Sequence, residues 1–288
     1  MTDGVFSQEV GTVAFQGALG ANSHKACKET VPNMDLLPCV DFDRAFESLI
    51  SGEADLAVIP IENSSAGRVA DIHRLLPDSG LHIVGEHFLP IPHCLVAPKG
   101  VKIADIRQVY SHEQALSQCR GYLNERGLEA TKFGDTAAAA QWVARQGAGD
   151  RAAICPALAA EIYDLNILDH NINDRPGNTT RFLILARSPR TPPLGAMTIT
   201  SLLFRTKSEP ASLYKALTGF ATLRINITKL ESYLVGDRFN TAQFYIDVVA
   251  HRQSADFAIA LKDLSYFCEP EGVRVMGSYL AHAYRKLS

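Results

Sequence analysis

The sequence predicts an α/β chain in two parts, and three features point to it. Short apolar runs at residues 12–15, 56–61 and 106–110 each end in a polar turn that opens a helical pattern. A Pro-rich stretch, Arg187-Ser188-Pro189-Arg190-Thr191-Pro192-Pro193-Leu194-Gly195, then reads as a linker. Beyond it the texture becomes βαββαβ in about ninety residues, the ferredoxin-like arrangement. The boundaries follow: residues 11–187 as two α/β lobes around a cleft, 188–195 as linker, and 196–288 as a small second domain.

Composition excludes several classes. With 28 Lys+Arg against 31 Asp+Glu, the net charge of −3 gives no reason to expect nucleic acid or an anionic membrane as partner. No apolar run approaches the ~20 residues of a membrane span. Residues 1–11 are polar and acidic, so they are not read as a signal peptide. The cysteines at 27, 39, 94, 119, 155 and 268 have neither C-x-x-C nor zinc spacing, which reads as reduced thiols in a cytoplasmic protein with no metal. No dinucleotide fingerprint is present, and no cofactor is expected.

Taken in order, residues 12–15 form a strand that ends at Gln16-Gly17-Ala18-Leu19-Gly20-Ala21-Asn22-Ser23. A helix over 24–30 follows, capped by Asn22 or Ser23, and its N-terminus offers N–H groups to an anion. A helix over 43–51 carries Ala45, Phe46, Leu49 and Ile50 on one face and stops at Gly52. The buried strand 56–61 runs into Glu62-Asn63-Ser64-Ser65-Ala66-Gly67, with 68–76 helical. In open parallel sheets that strand end is where ligands bind. Residues 81–88 alternate as a strand, and Pro90 and Pro92 mark a chain crossing between lobes before a further strand. The strand at 106–110 leads to a helix running to Asn124 with Ser111 as its cap. The alanine-rich helix 137–146 follows Gly134-Asp135-Thr136, where Asp135 and Thr136 read as a cap. A strand at 151–154, a helix at 157–163 and a short strand at 166–169 precede the last segment.

That segment is Asn178-Thr179-Thr180-Arg181-Phe182 followed by Leu183-Ile184-Leu185-Ala186, a polar turn feeding a buried strand. Arg181 can clamp a carboxylate with two parallel hydrogen bonds, and Thr180 can give one beside it. The plain alternative is an ordinary turn with Arg181 solvated. After the linker, strands are expected at 197–204, 227–235, 243–250 and 273–280, with a turn at Gly236-Asp237. Helices are expected at 211–223 and 254–267.

These segments resemble prephenate dehydratase. Phe15-Gln16-Gly17 with Gly20-Ala21-Asn22-Ser23, Pro60-Ile61-Glu62-Asn63-Ser64 with Gly67, Ser111-His112 with Gln118-Cys119, Asp135-Thr136-Ala137, and Asn178 with Thr180-Arg181-Phe182 occur in the family's order. Residues 212–217 and 225–232 resemble an ACT domain, although the family's Arg-Pro after Glu231-Ser232 is Tyr233-Leu234 here. The resemblance implies a catalytic domain of two-lobed, periplasmic-binding-protein-like fold. It implies a lyase that takes prephenate to phenylpyruvate, water and CO2, without metal or cofactor. Thr180 would polarise the departing hydroxyl and Arg181 would bind a carboxylate. Asn63, Ser64, Ser23, Ser111, Gln118 and Phe182 would line the substrate site, with Gly20 and Ala21 adding backbone donors. Glu62 stands either as a raised-pKa acid or as a structural partner that orients Arg181. His112 is open in the same way, and Phe182 equally suits the core. Ala216, Leu217, Gly219, Asn226, Glu231 and Ser232 would hold L-phenylalanine as effector, in a homodimer or homotetramer. Rival readings are arogenate dehydratase and a non-catalytic binder of small anions.

Overall fold

The computed structural model describes residues 5–147, 149–234 and 242–286, so the turn expected at Gly236-Asp237 lies outside the described residues. The chain forms two compact units. One comprises Asp3–Ile72 and His87–Phe182, the other His73–Glu86 and Leu183–Ser288.

The first unit holds two sheets. Strands β1 (Thr12–Gln16), β2 (Asp35–Cys39) and β3 (Leu56–Asn63) are parallel; β11 (Thr179–Ala186) and β5 (His82–Pro90), along each of which the chain passes from one unit to the other, complete the order β2-β1-β3-β11-β5. Helices α1 (Asn22–Thr30) and α2 (Phe42–Ser51) follow β1 and β2. The second sheet has the order β10-β6-β9-β7-β8. It is built from β6 (Cys94–Ala97), β7 (Gln108–Ser111), β8 (Glu129–Lys132), β9 (Arg151–Cys155) and β10 (Asn166–Asp169). Its helices are α4 (Glu113–Gln118), α5 (Arg120–Glu125), α6 (Thr136–Gln146) and α7 (Ala157–Ile162). The unbroken apolar run of β3 is explained by burial: Leu56 to Ile59 and Ile61 are at most 1% exposed, as in a strand covered on both faces.

Several local expectations change. β2 was not foreseen, because Pro38 interrupts its pattern. Residues 67–68 do not start a helix. They form β4 (Gly67–Arg68), which pairs back on Glu62 and Asn63 before the short helix α3 (Ala70–Leu75). The N-cap of α1 is Ala21, not Asn22 or Ser23, and it offers no side-chain acceptor. The helix after β7 breaks at Cys119 into α4 and α5, and its cap is His112 rather than Ser111: His112 Nδ1 accepts from Gln114 N at 3.2 Å. Asp135 does cap α6 through Ala138 N at 2.7 Å, and Gly52 ends α2 at φ +86.

In the second unit, β12 (Thr198–Thr206), α8 (Ser212–Thr222), β13 (Ile227–Leu234), β14 (Ala242–Val249), α9 (Ala255–Tyr266) and β15 (Cys268–Leu280) give the expected βαββαβ order. The sheet is antiparallel with the order β13-β14-β12-β15. Phe204, Phe220, Ile246, Phe257 and Leu264 form the core between its sheet and helices. Two expected effector contacts are absorbed there. Ala216 is fully buried in that core. A Cβ on Gly219 would lie 3.0 Å from Asp263 Cβ and 3.2 Å from Ala260 Cα, so Gly219 is a close-packing glycine between α8 and α9. Leu217 packs against the same core. Asn226 and Ser232 are exposed, and Glu231 pairs with Lys229 at 3.2 Å.

Candidate active site

A cleft of about 450 Å³ opens in the first unit. Gln16 and Asn63 line it from the ends of β1 and β3, and Ser23 from the first turn of α1. Thr180 and Phe182 reach it from β11, Gln118 and His112 flank it from α4, and His93 lines it from the crossing between β5 and β6.

One directed chain of hydrogen bonds joins four of these groups, Asn63, Thr180, Gln118 and His93, through Asn178. The backbone N–H groups of Ser65 and Ala66 donate to Asn63 Oδ1, both at 2.9 Å. Backbone amides only donate, so Oδ1 is fixed as acceptor and Nδ2 as donor. Asn63 Nδ2 gives one bond to Thr180 Oγ1 at 2.9 Å and another to Asn178 Oδ1 at 2.8 Å. Asn178 Nδ2 then donates to Gln118 Oε1 at 2.9 Å, and the same oxygen lies 2.9 Å from His93 Nε2. His93 therefore carries its proton on Nε2. The ring is 3% exposed, and burial lowers its pKa.

Other expected site residues serve different ends. Strand alternation turns Arg181 away from Thr180 and Phe182. Arg181 is 2% exposed, does not line the cleft, and pairs with Glu62, Nη1 to Oε1 at 2.9 Å. The carboxylate clamp is corrected to a buried ion pair, and Glu62 is its partner rather than a cleft acid. Ser111 is fully buried, and its hydroxyl donates to Ile154 O at 2.6 Å, so it ties β7 to β9 instead of touching a ligand. Ser64 is exposed and clasps the β11 entry: Thr179 N donates to Ser64 Oγ at 2.9 Å, and Ser64 Oγ donates to Gly177 O at 3.2 Å. The N–H groups of Gly20 and Ala21 are taken by His24 Nδ1 and Ala18 O, which leaves those of the first turn of α1 to meet an anion. Among the lining residues the guanidinium is that of Arg68, exposed on β4.

Sequence reasoning missed His93 and Arg68, and it did not give Asn178 a role. Asn178 stood inside a motif already singled out. His93 had only flanking prolines to mark it.

Burial raises all the thiols whose shift is resolved, Cys119 to about 12, so none is poised as a nucleophile. Among the described residues no three His, Cys, Asp or Glu side chains are grouped to hold a metal, and no helix is long and apolar enough to cross a membrane.

The family model for prephenate dehydratase matches residues 13–190, the stretch that contains every residue of this cleft. The chain belongs to the prephenate dehydratase family. Its members are lyases that act by decarboxylating dehydration. A bifunctional N-acyl-homoserine lactone acylase/prephenate dehydratase of Komagataeibacter europaeus is 44% identical over 275 residues, 95% of this chain and 97% of the relative. Arogenate dehydratase/prephenate dehydratase 2 of Arabidopsis thaliana is 40% identical, over 97% of this chain and 75% of its own length. The solved prephenate dehydratase of Arthrobacter aurescens, in complex with L-Phe, superposes with a TM-score of 0.85 at 31% identity, covering 94% of this chain and 90% of that one.

Proposed function

We propose that the chain converts prephenate to phenylpyruvate, water and CO2, with Thr180 beside the departing ring hydroxyl. The bond from Asn63 Nδ2 to Thr180 Oγ1 carries this reading. Thr180 accepts on one lone pair, which leaves its own proton to point at a ligand in the cleft. A threonine hydroxyl is a weak acid, so it polarises the C–O bond rather than protonating it outright. The first turn of α1 and Arg68 supply the positive end for a dianion. Leaving the ring carboxylate without a full ion pair favours its loss, because binding it tightly would stabilise the ground state.

The amino analogue arogenate is the second reading, favoured by the Arabidopsis relative, whose name covers both substrates. Residues 196–288 would be an ACT domain through which L-phenylalanine inhibits a cytoplasmic homodimer or homotetramer. The βαββαβ order and the Arthrobacter protein's complex with L-Phe support that regulation.

The test is turnover of prephenate and of arogenate at neutral pH, wild type beside Thr180→Ala, with and without phenylalanine. Phenylpyruvate formed by the wild type and lost in the variant is the expected result. Turnover of arogenate alone would change the substrate, and turnover of neither would remove the activity.

A further inference from the structure

The dehydration proposed above consumes a proton. A substrate with two carboxylates loses CO2 and its ring hydroxyl as water, and it leaves a product with one carboxylate. Electroneutrality therefore requires one proton per turnover. Thr180 can orient the hydroxyl but cannot be the net source, since an alkoxide on Thr180 would itself need reprotonation.

Among the lining residues, His93 has a free valence for that role. It lines the cleft and is 3% exposed. The chain of amides that begins at Ser65 N and Ala66 N ends on its ring and fixes the proton on Nε2, which is held by Gln118 Oε1 at 2.9 Å. The other ring nitrogen, Nδ1, is buried and has no hydrogen-bond partner among the described residues. A second proton on this ring would therefore sit on Nδ1, uncommitted to the protein.

We infer that His93 is the general acid of the reaction, delivering a proton from Nδ1 to the departing hydroxyl. This rests on the dehydratase reading. In the step, the bond from the ring to its carboxylate breaks and its electron pair enters the ring as CO2 leaves. The C–O bond breaks with its pair on oxygen. That oxygen takes the Nδ1 proton and departs as water, and the neutral ring is reloaded from solvent before the next turnover. Burial lowers the pKa of His93, and a bound dianion favours the charged ring.

The other titratable groups of the cleft are placed differently. His112 Nδ1 accepts from Gln114 N, Asp135 caps α6, and Asp71 and Arg68 are exposed. His170 Nδ1 lies 3.7 Å from Cys94 Sγ and is not among the lining residues.

The experiment measures kcat and KM for prephenate and arogenate between pH 6 and pH 9, with the uncatalysed rate subtracted, for wild type, His93→Gln and His93→Asn. Gln keeps a donor for Gln118 but does not titrate. Loss of a general acid should lower kcat by about 10²–10⁴-fold with little change in KM. Wild-type kcat/KM should fall as pH rises above the free-enzyme pKa of His93, and the variant should show no such limb. A purely structural His93 would lower the melting temperature and leave the pH profile in place. Wild-type turnover with His93→Gln within threefold and the same profile overturns the inference alone. If neither variant folds, a flat wild-type profile overturns it. Absence of wild-type turnover on both substrates overturns the dehydratase reading and the inference together.

Discussion

Asn63→Asp tests the polarity of the site with almost no change of shape. The two backbone N–H groups that hold Oδ1 keep an acceptor. What is lost is the donor to Thr180 Oγ1 and Asn178 Oδ1, and the direction of the Thr180 bond reverses. The Thr180 proton then points at the new carboxylate. Breaking that charge-assisted bond to recover the working orientation costs about 1.5–3 kcal/mol, or roughly 10–150-fold in kcat. The added charge also repels the substrate. At about 5 Å and an effective dielectric near 20, one carboxylate pair contributes about 3 kcal/mol, or roughly 200-fold, chiefly in KM. The expected fall in kcat/KM is therefore about 10³–10⁴-fold. Initial rates of phenylpyruvate formation, with a melting curve to confirm the fold, measure it. Asn63→Ala removes the donor without reversing it and should lose only about tenfold in kcat. A kcat for Asn63→Asp within threefold of wild type would refute the orientation argument.

Two further substitutions separate the structure from the sequence-based expectation. Arg181→Ala breaks the Nη1–Glu62 Oε1 pair and opens a buried void; with Glu62 about one-third exposed, the loss should sit near the low end of about 3–5 kcal/mol and lower the melting temperature by several degrees, whereas a substrate clamp would raise KM at unchanged stability. Gly219→Ala drives a Cβ against Asp263 and Ala260 and should cost about 1–3 kcal/mol by thermal denaturation with or without phenylalanine; an unchanged melting temperature would contradict the α8–α9 packing.

The layering was legible because burial writes itself into period. The apolar β3 run and the alternation of β12 announce their environments directly. The site was legible only in part. Polar loops at strand ends pointed to Asn63 and Thr180, and the family resemblance added Gln118. Which way a strand residue faces depends on its neighbours, so Arg181 looked like a ligand contact until its pairing with Glu62 fixed the phase of β11. Ser111 misled for a related reason: a small hydroxyl at a strand end serves a backbone carbonyl as readily as a substrate. The relay from residue 63 through 178 and 118 to 93 joins four distant points of the chain. No local pattern encodes such a closure.

The clasp between the β3 and β11 loops also bears on how the protein ages. Asparagine deamidates when the next residue's backbone nitrogen attacks the side-chain amide carbon. At Asn63 that nitrogen belongs to Ser64, and it is held on Thr179 O at 2.9 Å, while Asn63 Oδ1 is pinned by two amides of its own loop. Ring closure to the cyclic imide would have to break these contacts first. The bonds that aim the Thr180 hydroxyl therefore also retard the spontaneous conversion of Asn63 to aspartate, the chemical lesion most damaging to this cleft.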